Sequence, residues 1–348
     1  MNRRRQQNTM SKITLKKTVA LLTCVVSLIG VSACGNLVPQ PKQSSSLDST
    51  APAVTLEQEE NIEKKILDVI TKADNTKDPS LLSTRVDGPE LQIRSSQLTV
   101  LKDTNQPNPN MDIPSGIRQV ILPLNTEWPR NIFVITQAAQ DQQAERLLVL
   151  TQNSAHDNYK FWGLVRLFSG VTLPKFPIQT IGAKSGSLDE TGLVATPREA
   201  LAMYANVLEN GSSSVDASKV TSGQFIQQLS NLTNAVQQAV SANQGWQKQV
   251  FTPDYQTAKI VRASNGGDLV VAQINSVWTR YAGKGRQSEP ATDAEKALFG
   301  KATPTSTMKV TYVNVVALYI PPTSEGAKIE AVGAERQPIS VQAIPDNK

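Results

Sequence analysis

Residues 55–173 change from helical to strand periodicity along the chain. Thr55 and Gln58 form a capping-box pattern, and Ile62, Ile66 and Ile70 then recur at helical spacing. Short runs rich in branched and aromatic residues follow and predict strands. Further helical turns are expected from Asp78-Pro79 and Gly88-Pro89, and strands at Ile117–Leu122, Asn131–Thr136, Arg146–Gln152 and Tyr159–Phe168.

The same order of elements repeats in residues 196–348. Thr196 and Glu199 form a second capping box, Pro197 suits a first helical position, and Asn210-Gly211 ends the helix. A longer helix begins at Ser222, with an apolar face of Phe225, Leu229, Leu232, Val236 and Val240. The predicted strands are Lys248–Phe251, Thr257–Ala263, Asp268–Tyr281, Met308–Ile320, Lys328–Val332 and Ile339–Ile344.

Helices followed by an antiparallel sheet, twice over, predict an α+β protein of two related domains. Each domain is expected to pack N-terminal helices on a bent antiparallel sheet. The Gly-, Ser- and Pro-rich segment 174–195 is the expected connector between domains at 55–173 and 196–348. This layout resembles the cystatin-like and nuclear-transport-factor-like folds.

The first 54 residues have the pattern of an export signal and a tether. A basic segment precedes Val19–Val31, an apolar run too short to cross a bilayer. Val31-Ser32-Ala33-Cys34 resembles the bacterial lipobox, which implies cleavage before Cys34 and acylation of that residue. Residues 1–33 are therefore expected to be a signal peptide, with Met1 or Met10 as its start, and 34–54 a lipid-anchored flexible tether. The whole chain, lipobox included, resembles uncharacterised putative lipoproteins of actinobacteria.

Cleavage before Cys34 changes the interpretation of the charge. The chain has 35 Lys and Arg residues and 30 Asp and Glu residues, a net charge of +5. Six of the basic residues precede Cys34, so the mature chain keeps 29 basic residues and has a net charge of −1. This balance argues against nucleic-acid binding. Cys34 is also the one cysteine left after cleavage, which excludes an internal disulfide.

The sequence lacks the usual residues for catalysis. Its single histidine, His156, lies in a polar turn, where an exposed loop role is favoured over pairing with Asp157. Neither the elbow motif of serine hydrolases nor a histidine-rich zinc set is present. Gly182–Gly186 resembles a phosphate loop only loosely and predicts a flexible linker. We expect no enzyme activity, no cofactor and no metal; an acid such as Asp254 is kept as the alternative for carboxylate catalysis.

Ligand or partner contact is expected around the long excursion Gly283–Thr307. Cationic and aromatic side chains lie together just before and at its start, and Thr292 is expected to cap a short helix within it. Asn314, polar on an apolar strand face, marks either a cavity or a partnered core residue. The contact residues predicted here are Trp278, Arg280, Tyr281, Lys284 and Arg286.

Together these patterns predict a lipoprotein anchored on the extracytoplasmic face of the cell membrane. A non-enzymatic role is expected, in which the domains bind an envelope protein or a cell-wall component. The alternative is a solute- or small-ligand-binding lipoprotein serving a transporter. Binding proteins of that kind usually contain alternating β-α-β units, which this sequence does not indicate.

Overall fold

The computed structural model describes residues 51–138 and 144–346, which belong to one compact unit. The described chain is an α+β protein, as its sequence predicts, with five α-helices and nine strands. The helices are α1 (Leu56–Thr76), α2 (Gly88–Thr104), α3 (Pro197–Asn210), α4 (Gln224–Ser241) and α5 (Asp293–Phe299). The strands are β1 (Ile117–Ile121), β2 (Arg130–Thr136), β3 (Arg146–Gln152), β4 (Lys160–Leu167), β5 (Trp246–Pro253), β6 (Lys259–Arg262), β7 (Asp268–Tyr281), β8 (Thr307–Ile320) and β9 (Glu330–Ile344).

The helices begin where side chains can satisfy their first backbone N–H groups. Thr55 and Gln58 make a complete capping box at α1, and Thr196 and Glu199 make another at α3. Thr292 accepts a hydrogen bond from the Glu295 N–H and so caps α5. These local signals confirm the predicted starts of all three helices.

Both halves of the chain build a single sheet. Its strands follow the order β1-β2-β3-β4-β9-β8-β7-β5, with β6 also paired to β7, and all eight strand pairs are antiparallel. The halves meet where β4 pairs with β9 at Arg166 and Ala334. The prediction of two separate domains is therefore not confirmed, because the last strand of the chain joins the first four.

The two faces of the sheet bury different cores. One face forms a core shared by both halves, with Phe133 on β2, Val165 on β4 and Val315 on β8 among its members. On the opposite face, α1 packs on β1–β4, and α3 and α4 pack on the second-half strands. Helix α2 contributes Leu98 to the core under α1 and Ile93 to the shared core. Strand alternation explains this division, because neighbouring residues of one strand enter different cores.

The connector 174–195 is docked onto both outer parts of the sheet, which corrects its interpretation as a flexible linker. Ala183 donates its N–H to the Leu122 carbonyl at 2.8 Å, next to β1. The Arg262 N–H on β6 donates to the Lys184 carbonyl at 2.9 Å, and the Gly186 N–H donates to the Ile260 carbonyl at 3.2 Å. The segment thereby links β1 to β6, two strands that are far apart in the sheet order.

The predicted strands Lys328–Val332 and Ile339–Ile344 belong to one strand, β9. Pro338, which lies between them, has no N–H to donate to a sheet. The strand continues through this residue because a register shift occurs between Thr311 and Tyr312 on β8, where Tyr312 lies opposite Pro338.

The end of the predicted tether and the excursion 283–307 are both packed against the body of the protein. Val54 is buried, and the Ala53 N–H donates to the Pro123 carbonyl at 2.8 Å, so residues 51–54 do not belong to a free tether. In the excursion 283–307, α5 packs against α2 and β9. The excursion therefore covers part of the sheet.

Candidate functional site

The structure does not bring the predicted contact residues into one site. Strand alternation sends Trp278 and Arg280 to the face of β7 that α5 covers, where both side chains are buried. Tyr281 lies on the other face, with its ring 5.9 Å from that of Trp246. Lys284 and Arg286 are exposed in the turn that follows β7.

Trp278 and Arg280 instead take part in internal contacts. Trp278 Nε1 donates to Gln247 Oε1 at 2.7 Å. Arg280 Nη2 donates to Glu295 Oε2 at 2.5 Å, and Tyr312 OH donates to Glu295 Oε1 at 2.9 Å. Burial, followed by the nearby Glu295 charge, raises the pKa of Tyr312 above its usual range. This cluster fixes α5 to the sheet.

Three other candidates from the sequence have local structural roles. His156 is exposed in a turn, and Asp157 accepts from the Ser154 hydroxyl at 2.8 Å. Asp254 accepts from the Gln256 N–H at 3.1 Å, in a turn after β5. Asn314 is fully buried and finds partners in the core: it donates to the Ile274 carbonyl at 2.6 Å.

A cleft of about 350 Å³ lies between α4 and the junction of β4 with β9. Phe168, Phe225 and Leu232 give it apolar walls, while Arg166 and Arg336 supply positive charge. Ligand sites in proteins commonly have this size and this combination of apolar walls with a few polar groups. We therefore take this cleft as the candidate binding site.

Arg336 is held at the cleft by neutral groups. Its Nη1 donates to Asn314 Oδ1 at 2.7 Å and to Ser276 Oγ at 3.1 Å, and its guanidinium lies 3.7 Å from the centre of the Tyr312 ring. Burial lowers its pKa to about 10. In the part of the chain that the structure describes, no carboxylate forms a salt bridge with Arg336.

Arg166, the second cleft arginine, is tied to a buried carboxylate. Its Nε donates to Glu335 Oε2 at 2.6 Å, while 39% of its side chain stays exposed. Burial raises the pKa of Glu335 despite this pairing. Burial also raises the pKa of Glu90 on α2 to about 8, with Glu335 adding to the shift. Two buried acids therefore interact behind the cleft.

Little in the sequence indicates a role for these charged residues. Glu335-Arg336-Gln337 looks like an ordinary solvated stretch between two apolar runs. The one signal was Asn314, a polar residue on an apolar strand face, which turns out to hold Arg336. Their contact crosses from β8 to β9, where the two residues lie directly opposite each other.

The described residues contain no group of acids, histidines and cysteines that could hold a metal ion. No helix among them is long and apolar enough to cross a membrane. Cys34, the predicted lipidation site, lies outside the described residues.

The fold and the cleft define a class of α+β protein in which helices pack on one antiparallel sheet and leave a charged cleft at a strand junction. By sequence, the chain belongs to the family defined by DUF8094, a domain of unknown function, whose model matches residues 50–338. The match spans both halves of the chain, in keeping with their common sheet. Comparisons with curated proteins and with solved structures gave no match.

Proposed function

We propose that this protein is a lipid-anchored binding protein on the extracytoplasmic face of the cell membrane, without enzyme activity of its own. Its binding site is the cleft between α4 and the β4–β9 junction. The observation that carries this proposal is Arg336, a cation at the cleft whose hydrogen-bond partners are neutral, with the Glu295 carboxylate, hydrogen-bonded to Tyr312, adding a favourable charge interaction. A buried charge is costly unless a counter-charge is supplied.

The chemistry of the cleft selects an amphiphilic anion. Phe168, Phe225 and Leu232 offer apolar surface, and Arg336 and Arg166 offer guanidinium groups that suit a carboxylate or a phosphate. In the cell, such a ligand would be a small amphiphile or the anionic, apolar end of an envelope partner.

The anchor is the second part of the proposal. The lipobox-like Val31-Ser32-Ala33-Cys34 supports acylation at Cys34, and two or three acyl chains give stable attachment. The described strands pair antiparallel, so the β-α-β crossovers typical of transporter-associated binding proteins find no support in them. The anchored protein would therefore act on envelope components near the membrane.

Binding of dodecanoate and 1-dodecanol, compared by calorimetry, tests the cleft. The two probes share a chain length and differ in charge. We expect dodecanoate to bind at least about tenfold more tightly, and Arg336→Gln to remove that preference, since a charge-assisted contact is worth about 1.5–3 kcal/mol. Arg198→Gln, which alters an exposed arginine paired with Asp189, is the matched control.

A second variant distinguishes a loss of ligand binding from a folding defect. Gln228 is exposed at the cleft, so Gln228→Glu places a negative charge there without removing any of the apolar wall. It should weaken dodecanoate binding and leave 1-dodecanol binding within about twofold. Equal affinity for the two probes in the unaltered protein would overturn the proposed site.

A carboxylate-based enzyme is the second candidate, and Glu90 with Glu335 favours it. Acids with raised pKa values are common in active sites. Glu335 accepts a hydrogen bond from Arg166, which lines the cleft, so only Arg166 lies between the two acids and the candidate site. If a turnover were measured and Glu90→Gln abolished it while Asp254→Asn did not, the protein would be an enzyme.

A further inference from the structure

The connector forms an apolar turn that projects from the surface. The Ile181 and Gly182 N–H groups both donate to the Ile178 carbonyl, at 2.9 and 3.0 Å, so the turn is closed by its own backbone. Ile178 is nevertheless 65% exposed and Ile181 52% exposed. Two large apolar side chains at the tip of an ordered turn are unusual on a surface that faces only water.

This turn lies beside the point where the described chain begins. Gly182 is close to Pro52, since a Cβ added to it would lie 3.2 Å from Pro52 Cγ. A hollow of about 310 Å³ is lined by Ala51, Leu56 and Thr180, and Leu56 is a third exposed apolar side chain. The apolar turn and the start of the described chain therefore share one end of the protein.

A segment of known length links Cys34 to this end. About 17 residues separate it from Ala51, and even a fully extended chain of that length spans at most about 60 Å. A lipid on Cys34 would keep this end within that distance of the bilayer, so the membrane that carries the lipid is a surface that the turn can reach.

The connector carries basic side chains on both sides of the turn. Lys175 and Lys184 are both exposed, while the acids of the connector, Asp189 and Glu190, follow the turn by seven residues or more, and the exposed Glu57 and Glu60 lie on α1 beyond Leu56. Apolar tips flanked by basic side chains are typical of segments that sit in a membrane interface, because the tips enter the acyl region while the cations meet lipid phosphates.

We propose that the turn Ile178–Gly182 inserts into the outer surface of the membrane that carries the lipid anchor. The surface is identified through the anchor in the proposed function, but insertion itself can be tested on protein without any lipid. A failure of lipidation at Cys34 and a failure of the turn to insert are therefore separable results.

The experiment uses residues 35–348, which include the compact unit Leu47–Lys348 and all its described cores. Both cysteines of the chain precede this segment, so Ile178→Cys gives a single labelling site. An environment-sensitive fluorophore at this site should shift to the blue on phosphatidylcholine vesicles that contain phosphatidylglycerol. The same label at Val215→Cys, an exposed apolar position 85% accessible to solvent, should not shift.

A second variant measures the contribution of the apolar tips. Ile178→Asp with Ile181→Asp should reduce vesicle partitioning by at least about tenfold, since each side chain would lose its burial in the acyl region. Because both isoleucines are exposed, the aspartate variant should remain folded, and thermal denaturation of the variant checks this. Insertion is overturned if neither label shifts, if both shift equally, or if the aspartate variant binds as well as the original.

Discussion

The ion pair between Arg280 and Glu295 gives a prediction whose size follows from the structure. Glu295 accepts hydrogen bonds from Arg280 Nη2, the Tyr312 hydroxyl and the Ala291 N–H, at 2.5, 2.9 and 2.8 Å. Only 6% of the Arg280 side chain and 2% of the Glu295 side chain are exposed. Glu295→Gln removes the negative charge and leaves the guanidinium buried without a counter-ion.

Breaking a buried pair in this way costs about 3–5 kcal/mol. An unfolding entropy of about 2.1 cal/mol/K per residue over roughly 300 residues gives about 0.6 kcal/mol/K. We therefore expect the Tm of Glu295→Gln to fall by about 5–8 °C. Differential scanning calorimetry, with urea unfolding as a second measure, would record the change.

The neighbouring pair on α5 provides the control. Lys296 Nζ lies 3.1 Å from Asp293 Oδ1, and the side chains of Asp293 and Lys296 are 72% and 64% exposed. Asp293→Asn should cost no more than about 1 kcal/mol, because solvent screens surface pairs. If Glu295→Gln were as mild as Asp293→Asn, the Arg280 cluster would not hold α5 as described.

Three further predictions concern pH, packing and the anchor. Burial raises the pKa of Glu90 from 4.5 to about 8, so the stability contributed by its protonated form is complete below about pH 4.5 and is lost as the pH rises through about 8. The midpoint of urea unfolding should therefore decline over this range, and Glu90→Gln should flatten the decline. An unchanged slope in the variant would contradict this prediction. Gly186→Ala should lower stability by about 1–3 kcal/mol in thermal unfolding, since the added Cβ would lie 2.9 Å from Asp268 Oδ2 and closer still to Ile260. The exposed Ser187→Ala should show no such loss. Mass spectrometry should find diacylglyceryl on Cys34, and Cys34→Ser should move the protein out of the membrane fraction; a mature chain beginning elsewhere would refute this.

Features encoded within a few residues could be predicted from the sequence. Caps at Thr55, Thr196 and Thr292 depend on contacts three residues away, so they are visible in the sequence itself. Continuous apolar runs such as residues 132–135 in β2 likewise indicate strands. These local patterns suffice for the α+β class and for most helix and strand positions.

Contacts between distant residues could not be predicted in this way. Nothing in β4 specifies that β9 is its neighbour, because apolar alternation fits many partners. Repeated order of elements therefore suggested two domains, where the chain builds one sheet. The candidate site was missed for the same reason: Arg336, Arg166 and Phe225 come from three elements that only the folded sheet brings together.

The position of β9 at the end of the sequence determines when the sheet can be completed during folding. β4 ends roughly 160 residues before β9 begins, so β4 emerges well before its partner when the chain crosses the membrane from its N-terminus. During that time, the edge of β4 that β9 will occupy has no native partner, and open edges invite pairing with other chains. Contacts between such distant segments also slow folding. Loss of the last 15-residue strand, β9, would consequently leave both β4 and β8 with unpaired edges and favour aggregation over a smaller stable fold.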